Sequence, residues 1–136
     1  QFGKANIVIA GNELTVVAIS KMVILAKEVI KELSNSYKFS IELIDPRCVS
    51  PLDYETILES VKKTGRLIII DEEFESCSIA SQISSKICDI AFDYLDAPIK
   101  TLNGSFSPTP YSPSLESQVV PDSAIIKKKI IDMFNE

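Results

Sequence analysis

Hydrophobic residues in this chain are grouped in short continuous runs, and stretches with helical periodicity separate these runs. The most apolar run is Leu67–Ile70, which follows Gly65–Arg66 and leads into the acidic run Asp71–Glu73. Adjacent aliphatic residues cannot alternate between a buried and an exposed face, so both faces of this segment favour burial. Such runs are typical of strands in the middle of a parallel sheet that helices cover on both sides. We therefore predict that the other elements pack around this strand.

Four other β-rich runs complete the predicted sheet. They are Ala5–Ala10, Leu14–Ile19, Ile41–Ile44 and Ile99–Leu102. Gly11, Asn12 and Glu13 separate the first two runs and have the composition of a tight turn. The sequence therefore predicts an antiparallel hairpin, with its first strand at the edge of the sheet and its second more deeply buried.

Amphipathic stretches between these strands predict four helices. The first begins at Lys21 and ends at Ser34–Ser36, the third follows the acidic run and ends near Phe92, and the last begins at Asp122–Ser123. The residues expected to face the sheet are Met22, Ala26, Val29, Ile30 and Leu33 in the first helix, Tyr54, Ile57, Leu58 and Val61 in the second, Ile79, Ala80, Ile83, Ile87, Ile90 and Ala91 in the third, and Ile126, Ile130, Met133 and Phe134 in the last.

The second helix carries sequence signals for both of its ends. Ser50 is predicted as the N-cap, Pro51 as the first helical residue and Asp53 as the acid of a capping box. Gly65 is predicted to end this helix in a left-handed conformation.

The segment Asn103–Pro121 contains four prolines and predicts an ordered crossing loop, with a helical turn near Ser114–Glu116. Strands and helices alternate along the rest of the chain. The predicted fold class is therefore α/β, a three-layer α/β/α sandwich with a mostly parallel sheet and an antiparallel edge hairpin. A length of 136 residues with 46% hydrophobic content fits a single compact domain, residues 1–136.

Net charge and cysteine content limit the partners and the cellular compartment that we expect for this domain. A net charge of -5 disfavours a nucleic-acid partner, because the phosphate backbone is also anionic. No stretch approaches the roughly 18 consecutive apolar residues that span a membrane, and no basic-then-apolar leader pattern is recognised, so we expect a soluble domain. Cys48, Cys77 and Cys88 are odd in number, lack CxxC spacing and have no histidine to complete a metal site. We therefore expect reduced thiols and a cytoplasmic location, with no membrane association.

Two groups of polar residues that follow the predicted central strand are candidates for a chemical role. Asp71, Glu72, Glu73 and Glu75 follow the central strand, where paired acids could bind a cation or raise a pKa. The alternative, which we favour, is a solvated acidic loop. Cys77 lies near a predicted helix N-terminus, which favours a reactive thiolate. Without a histidine partner, a packed or capping role is the favoured interpretation.

Two groups of basic residues have similar alternatives. Arg47 lies between two prolines and could bind an anion or a carboxylate of the next loop, and a structural ion pair is favoured. Lys127–Lys129 are predicted to form a solvated helix face.

The residue inventory disfavours catalysis and nucleotide binding within this chain. Without histidine, acid–base chemistry would depend on carboxylates, lysine or tyrosine with shifted pKa values. The four glycines, at positions 3, 11, 65 and 104, form neither a dinucleotide-binding fingerprint nor a phosphate-binding loop.

Motifs in a fixed order resemble the C-terminal domain of β subunits of thiamine-diphosphate-dependent 2-oxo acid dehydrogenases, over essentially the whole chain. The motifs are Gly3–Ala5, Leu14–Val17, Ile44–Arg47, Ser50–Asp53, Glu55–Ile57, Ser60–Arg66, Ala91–Pro98 and Pro108–Pro113. The segment Ser76–Ser81 and the run Ser107–Pro113 are similar to acetoin dehydrogenase β subunits. Pyruvate dehydrogenase β subunits, which usually have a glycine-rich stretch after the acidic run, are the second choice.

This resemblance implies a five-stranded mixed sheet of the transketolase C-terminal type, with one antiparallel strand. It also implies that thiamine diphosphate and magnesium serve the parent enzyme but are not bound by this domain, which has no catalytic residue. The implied partners are an α subunit and a second β subunit in an α2β2 tetramer, and the subunit-binding domain of an acyltransferase. Asp96 matches a docking position for that last partner, and the alternative is that Asp96 caps the turn before Pro98.

Two other interpretations remain open at this stage. The chain could be a stand-alone ligand-binding or regulatory module that uses loop ends near Asp45, Asp71 and Leu102, because ligands bind there in open α/β sheets. It could also be the C-terminal domain of a transketolase or deoxyxylulose-phosphate synthase. Because the first residue is Gln1, we expect a fragment of a longer β subunit.

Overall fold

The computed structural model describes residues 2–136, so Gln1 lies outside the described residues. The strands are β1 (Asn6–Ile9), β2 (Leu14–Ala18), β3 (Ile41–Asp45), β4 (Leu67–Phe74) and β5 (Lys100–Gly104). The helices are α1 (Met22–Tyr37), α2 (Tyr54–Thr64), α3 (Ile79–Ala91), α4 (Pro113–Val119) and α5 (Ser123–Asn135), and a 3₁₀ turn at Phe92–Tyr94 follows α3.

The five strands form one sheet in the order β1-β3-β2-β4-β5. Strand β1 is antiparallel to β3, whereas the pairs β2–β3, β2–β4 and β4–β5 are parallel. The predicted fold class is confirmed: a five-stranded, mostly parallel sheet with an antiparallel edge strand and helices on both faces. Strand β4 is an interior strand, and all four residues of Leu67–Ile70 are 0% exposed.

The predicted hairpin between the first two strands is wrong, because β3 lies between β1 and β2. The backbone N–H groups of Asn12 and Glu13 donate to the carbonyl of Ser40 at 3.2 and 2.9 Å, so this connection crosses the start of β3. A Cβ atom at Gly11 would collide with the backbone of Ile41. Gly11 is therefore required for this close crossing rather than for a tight turn.

Side chains alternate between the two faces of each strand and divide the core into two layers. Ile68 and Ile70 of β4 pack with α1 and α5, whereas Leu67 and Ile69 pack with α2 and α3. The buried apolar residues of α1 and α3 are the predicted ones, except that Ile79 and Ile90 remain partly accessible.

Two helix boundaries differ from the prediction. Helix α1 continues past Ser34–Ser36 to Tyr37, and Lys38 then takes a left-handed conformation with φ 63°. Helix α2 begins at Tyr54 instead of Pro51, because Asp53 rather than Ser50 is the N-cap and its Oδ1 accepts the Thr56 N–H at 3.2 Å. The other carboxylate oxygen of Asp53 accepts the Ala5 N–H at 3.0 Å, which fixes the segment before β1 to this helix.

Polar groups replace part of the predicted apolar contact between α2 and the sheet. Tyr54 and Leu58 are only partly buried. Instead, Thr15 of β2 shares hydrogen bonds of 2.7 Å with both Ser60 and Thr64 of α2. All three hydroxyl-bearing residues are buried, so this part of the layer is held by paired polar groups.

The carboxylate of Glu42 extends this polar layer on β3. Lys63 donates to its Oε2 at 2.7 Å, and the Gly11 N–H donates to the same atom at 3.3 Å. Burial alone would raise the pKa of Glu42, but hydrogen bonds from Lys63, Ser60 and the Gly11 N–H outweigh it and lower the pKa below its ordinary value of 4.5.

Replacing Thr15 by Val should lower the free energy of unfolding by about 1–2 kcal/mol, because the hydroxyls of Ser60 and Thr64 each lose a buried partner. Urea unfolding followed by circular dichroism measures this change. Thr109→Val, at an exposed loop position, is the matched control and should change stability by less than about 0.5 kcal/mol. Equal stability of the two variants would contradict the role of the hydroxyl layer.

Replacing Glu42 by Gln should make the free energy of unfolding depend less steeply on pH at acidic pH. The pKa of Glu42 is lowered in the folded protein, so its contribution is complete above about pH 4.5 and is lost as pH falls through the folded-state pKa. Urea midpoints between pH 3 and pH 7 measure the slope. Glu28→Gln, at an exposed position on α1, should retain the parental slope. A parental slope in Glu42→Gln would refute the prediction.

Candidate functional site

Strands β2 to β5 run parallel, so the sheet has a carboxyl end and an amino end, which we call its carboxyl edge and its amino edge. Both carry residues that are candidates from the sequence. Asp71 is at the carboxyl edge, where β4 approaches α3, and it is 2% exposed. Its Oδ1 accepts the Glu73 N–H at 3.2 Å, and its Oδ2 accepts the Ala80 N–H at 3.4 Å. Asp71 therefore connects the strand to the first turn of α3.

The other acids of this run do not converge with Asp71 on one point. Strand β4 continues to Phe74, so Glu72 and Glu73 lie in this strand beyond Asp71, while Glu75 is exposed past its end. Among residues 2–136, no group of three or more His, Cys, Asp or Glu side chains is placed to hold a metal ion. The cation-site interpretation of these acids therefore has no support in the geometry.

Cys77 is exposed and has a φ of 61°, so the favoured interpretation of a packed or capping residue is wrong. The N-cap of α3 is the next residue, Ser78, whose Oγ accepts the Ser81 N–H at 3.1 Å. A serine has the oxygen acceptor that a helix N-terminus needs, whereas sulfur is a weak acceptor.

The basic candidates both form ion pairs. The Arg47 Nε is 3.9 Å from the Asp45 Oδ2, so the expected structural ion pair is confirmed, and its partner is the last residue of β3 rather than a carboxylate of the next loop. Lys127 donates to Glu32 of α1 at 2.6 Å and links α5 to α1. A fully solvated basic face is therefore wrong for Lys127, whereas Lys128 is exposed as predicted.

Asp96 lies at the opposite, amino edge of the sheet, after the 3₁₀ turn and before β5. Its backbone N–H donates to the carbonyl of Gly65 at 2.8 Å, and a Cβ atom at Gly65 would collide with its carboxylate. Gly65 has a φ of 68° and ends α2 as predicted. Asp96 itself is exposed, so its carboxylate remains accessible; its docking role stays a prediction.

Sequence reasoning missed the apolar surroundings of Asp96. A groove of about 540 Å³ lies between α3 and the start of β5, and we call it the Asp96 groove. Its lining residues are Ser84, Cys88, Phe92, Leu95, Asp96, Ala97, Pro98 and Ile99. Phe92 is 70% exposed, and the ammonium of Lys62 lies 5.6 Å from the centroid of the exposed Tyr94 ring. The available signal was two aromatic residues in a polar stretch just before a proline.

The residues present do not fit a magnesium diphosphate site. The sequence contains no histidine and no glycine-rich phosphate loop, and residues 2–136 contain no cluster that could hold the metal. We therefore derive no chemical step through thiamine diphosphate on this domain. Within the same residues, no helix is both long and apolar enough to cross a membrane.

Comparison with known proteins identifies one domain family and relatives that are β subunits of oxidoreductases. The family model for the transketolase C-terminal domain matches residues 3–126. The chain is 42% identical over 134 residues to the β subunit of the acetoin:2,6-dichlorophenolindophenol oxidoreductase of Bacillus subtilis, covering 98% of this chain and 39% of that protein. It is 41% identical over 120 residues to the pyruvate dehydrogenase E1 component β subunit of Rickettsia bellii, covering 88% of this chain and 37% of that protein.

A solved structure supports the fold. A split-gene transketolase, described as an inactive β4 tetramer, superposes with a TM-score of 0.79 at 17% identity, over 99% of this chain and 43% of that one. The chain thus spans about two fifths of the length of each of these three proteins. The resemblance drawn from the sequence motifs is confirmed. On the match over residues 3–126, the chain belongs to the transketolase C-terminal domain family.

Proposed function

We propose that this chain is the C-terminal domain of the β subunit of a thiamine-dependent dehydrogenase that acts on acetoin or pyruvate. The observation that carries this proposal is the 42% identity to an acetoin oxidoreductase β subunit across 98% of the chain. The parent enzyme would cleave acetoin or decarboxylate pyruvate oxidatively and pass the acyl group to a lipoyl carrier. The cofactor and magnesium would bind in the rest of the assembly, since the residues of this domain do not fit them.

Acetoin is the first choice of substrate and pyruvate the second. The identities to the two kinds of β subunit are almost equal, at 42% and 41%, so overall similarity does not separate them. The segment Ser76–Ser81 favours the acetoin type, and here Ser78 caps α3 in place of a glycine-rich turn. A transketolase-type transferase shares the fold, but its similarity at 17% identity supports the fold alone.

The role of the domain would be assembly and docking. An α subunit and a second β subunit would complete an α2β2 tetramer, and an acyltransferase subunit-binding domain would dock at the Asp96 groove. Three features support this last contact: an exposed carboxylate, an exposed Phe92 ring and a groove with apolar walls. A partner with a basic residue beside an apolar one would match this surface.

We expect the complete α and β pair to oxidise acetoin with an artificial electron acceptor, more efficiently than pyruvate in terms of kcat/KM. Residues 1–136 alone should show no turnover and no saturable heat when they are titrated with thiamine diphosphate and magnesium. Dye reduction and calorimetry measure these outcomes. Turnover by the chain alone, or a micromolar cofactor site on it, would sink the proposal.

Replacing Asp96 by Asn should weaken binding of the acyltransferase subunit-binding domain by about tenfold or more, because a cation on the partner loses its carboxylate. Calorimetry with the assembled α and β subunits measures the change. Asp93→Asn removes the same charge from an exposed position of the neighbouring 3₁₀ turn and is the control, for which we expect a change below about twofold. Equal affinities of the two variants would remove Asp96 from the docking site.

A further inference from the structure

A second groove lies at the carboxyl edge of the sheet, on the side opposite the Asp96 groove. Its volume is about 660 Å³, and it separates the end of β4 from the segment Ser105–Val120. We call it the carboxyl-edge groove. Its walls combine acids with apolar groups and include Glu72, Glu73, Phe74, Glu116, Val119 and Val120.

A pair of exposed aromatic rings lies at this groove. Phe74, which lines the groove, is 44% exposed and Phe106 is 83% exposed, and their rings meet edge to face with centroids 5.3 Å apart. Two large rings exposed side by side are typical of an interaction site, since water otherwise covers their apolar surface.

The charge of this edge has one sign. No lysine or arginine occurs in residues 67–85 or 101–126, which supply the groove. Among residues 2–136, the structure gives eight ion pairs, and none involves Glu72, Glu73, Glu75 or Glu116. The groove therefore presents carboxylates without counter-ions beside accessible aromatic faces.

An unpartnered acceptor lies beside the groove. The Asn103 amide donates to the Glu73 carbonyl at 3.1 Å and to the Ser78 Oγ at 3.3 Å. Its Oδ1 atom is buried and, within the part of the chain that the structure describes, has no hydrogen-bond partner. Asn103 also lines an adjoining pocket of about 530 Å³ together with Glu75 and Phe106. An acceptor without a partner therefore lies next to the carboxylates of the groove.

We propose that the carboxyl-edge groove docks an arginine-bearing segment of a partner polypeptide. A guanidinium group has five donors, binds carboxylates through two parallel hydrogen bonds and stacks on aromatic faces. It therefore complements both the carboxylates and the aromatic rings of the groove, whereas the ammonium of lysine is a strongly hydrated point charge that cannot bind a carboxylate in this two-pronged way or stack on a ring as a plane. The proposal does not depend on the proposed function, because it concerns a different edge of the sheet.

Other classes of ligand match the groove less well. The acids repel nucleic acids and anionic membrane surfaces. A bound metal ion would need converging ligands, and none of the described residues form such a cluster. A polypeptide with positive charge next to apolar side chains complements both the rings and the carboxylates.

Two peptides binding to residues 1–136 test the proposal. Both are blocked hexapeptides of alternating residues, one of arginine and leucine and the other of lysine and leucine. Calorimetry and amide NMR shifts measure affinity and location. We expect the arginine peptide to bind with submillimolar affinity, to shift amides in residues 72–78 and 103–116, and to bind about fivefold or more tightly than the lysine peptide. Binding that is equal for both peptides, or absent up to millimolar concentration, would overturn the proposal.

Variants at the two edges separate this site from general attraction to an acidic protein. Phe106→Ala keeps the net charge and should weaken the arginine peptide by about tenfold, and Glu73→Gln should weaken binding and reduce its salt dependence. The controls are Tyr94→Ala, another exposed aromatic, and Asp89→Asn, another exposed acid, both at the amino edge. Control variants that weaken binding as much as the groove variants would also overturn the proposal.

Discussion

Burial of β4 on both of its faces is the constraint on which the other elements depend. Residues Leu67–Ile70 are inaccessible to solvent, and parallel neighbours flank the strand on both sides. Each such side chain contributes about 1.5–3 kcal/mol on burial, so the four together match the net stability of a typical domain. This burial requires helices on both faces of the sheet. As a result, the surface left for contacts with other molecules is concentrated at the two ends of the parallel strands.

The two ends of the sheet use different chemistry. At the amino end, Asp96 lies over the left-handed Gly65 beside the exposed ring of Phe92. At the carboxyl end, Asp71 is occupied by the backbone of α3, and the remaining acids and rings face outward. Between these ends, the hydroxyls of Thr15, Ser60 and Thr64 and the Glu42–Lys63 pair fix the position of α2 on the sheet. These polar groups between the two ends are paired and act in packing, whereas Asp96 and the outward-facing acids after Asp71 remain accessible.

The sequence predicted the features that depend on local periodicity. The uninterrupted run before Asp71 indicated a strand buried on both faces, and the helical stripe beginning at Met22 indicated the face of α1 that packs on the sheet. Features set by distant contacts were not predictable in this way. The turn signal at Gly11 depends on neighbouring residues and carries no information about β3. The N-cap of α2 is Asp53 rather than Ser50, and the carboxylate of Asp53 also accepts the distant Ala5 N–H. The Asp96 groove likewise needs residues from α3 and from the start of β5, which only the fold brings together.

The position of β1 beyond β3 affects how the chain can assemble during synthesis. Ile7 of β1 pairs with Ile44, so its backbone partner emerges from the ribosome only after the whole of α1 has been made. Until then β1 lacks its native partner, because in the folded sheet it pairs with β3 and not with β2. Translation runs from the amino terminus, and contacts between distant residues form late because of their loop-closure entropy. The first strand of this domain therefore cannot dock in its native place until β3 has been made, and a nascent chain arrested before Ile41 would leave it without that partner.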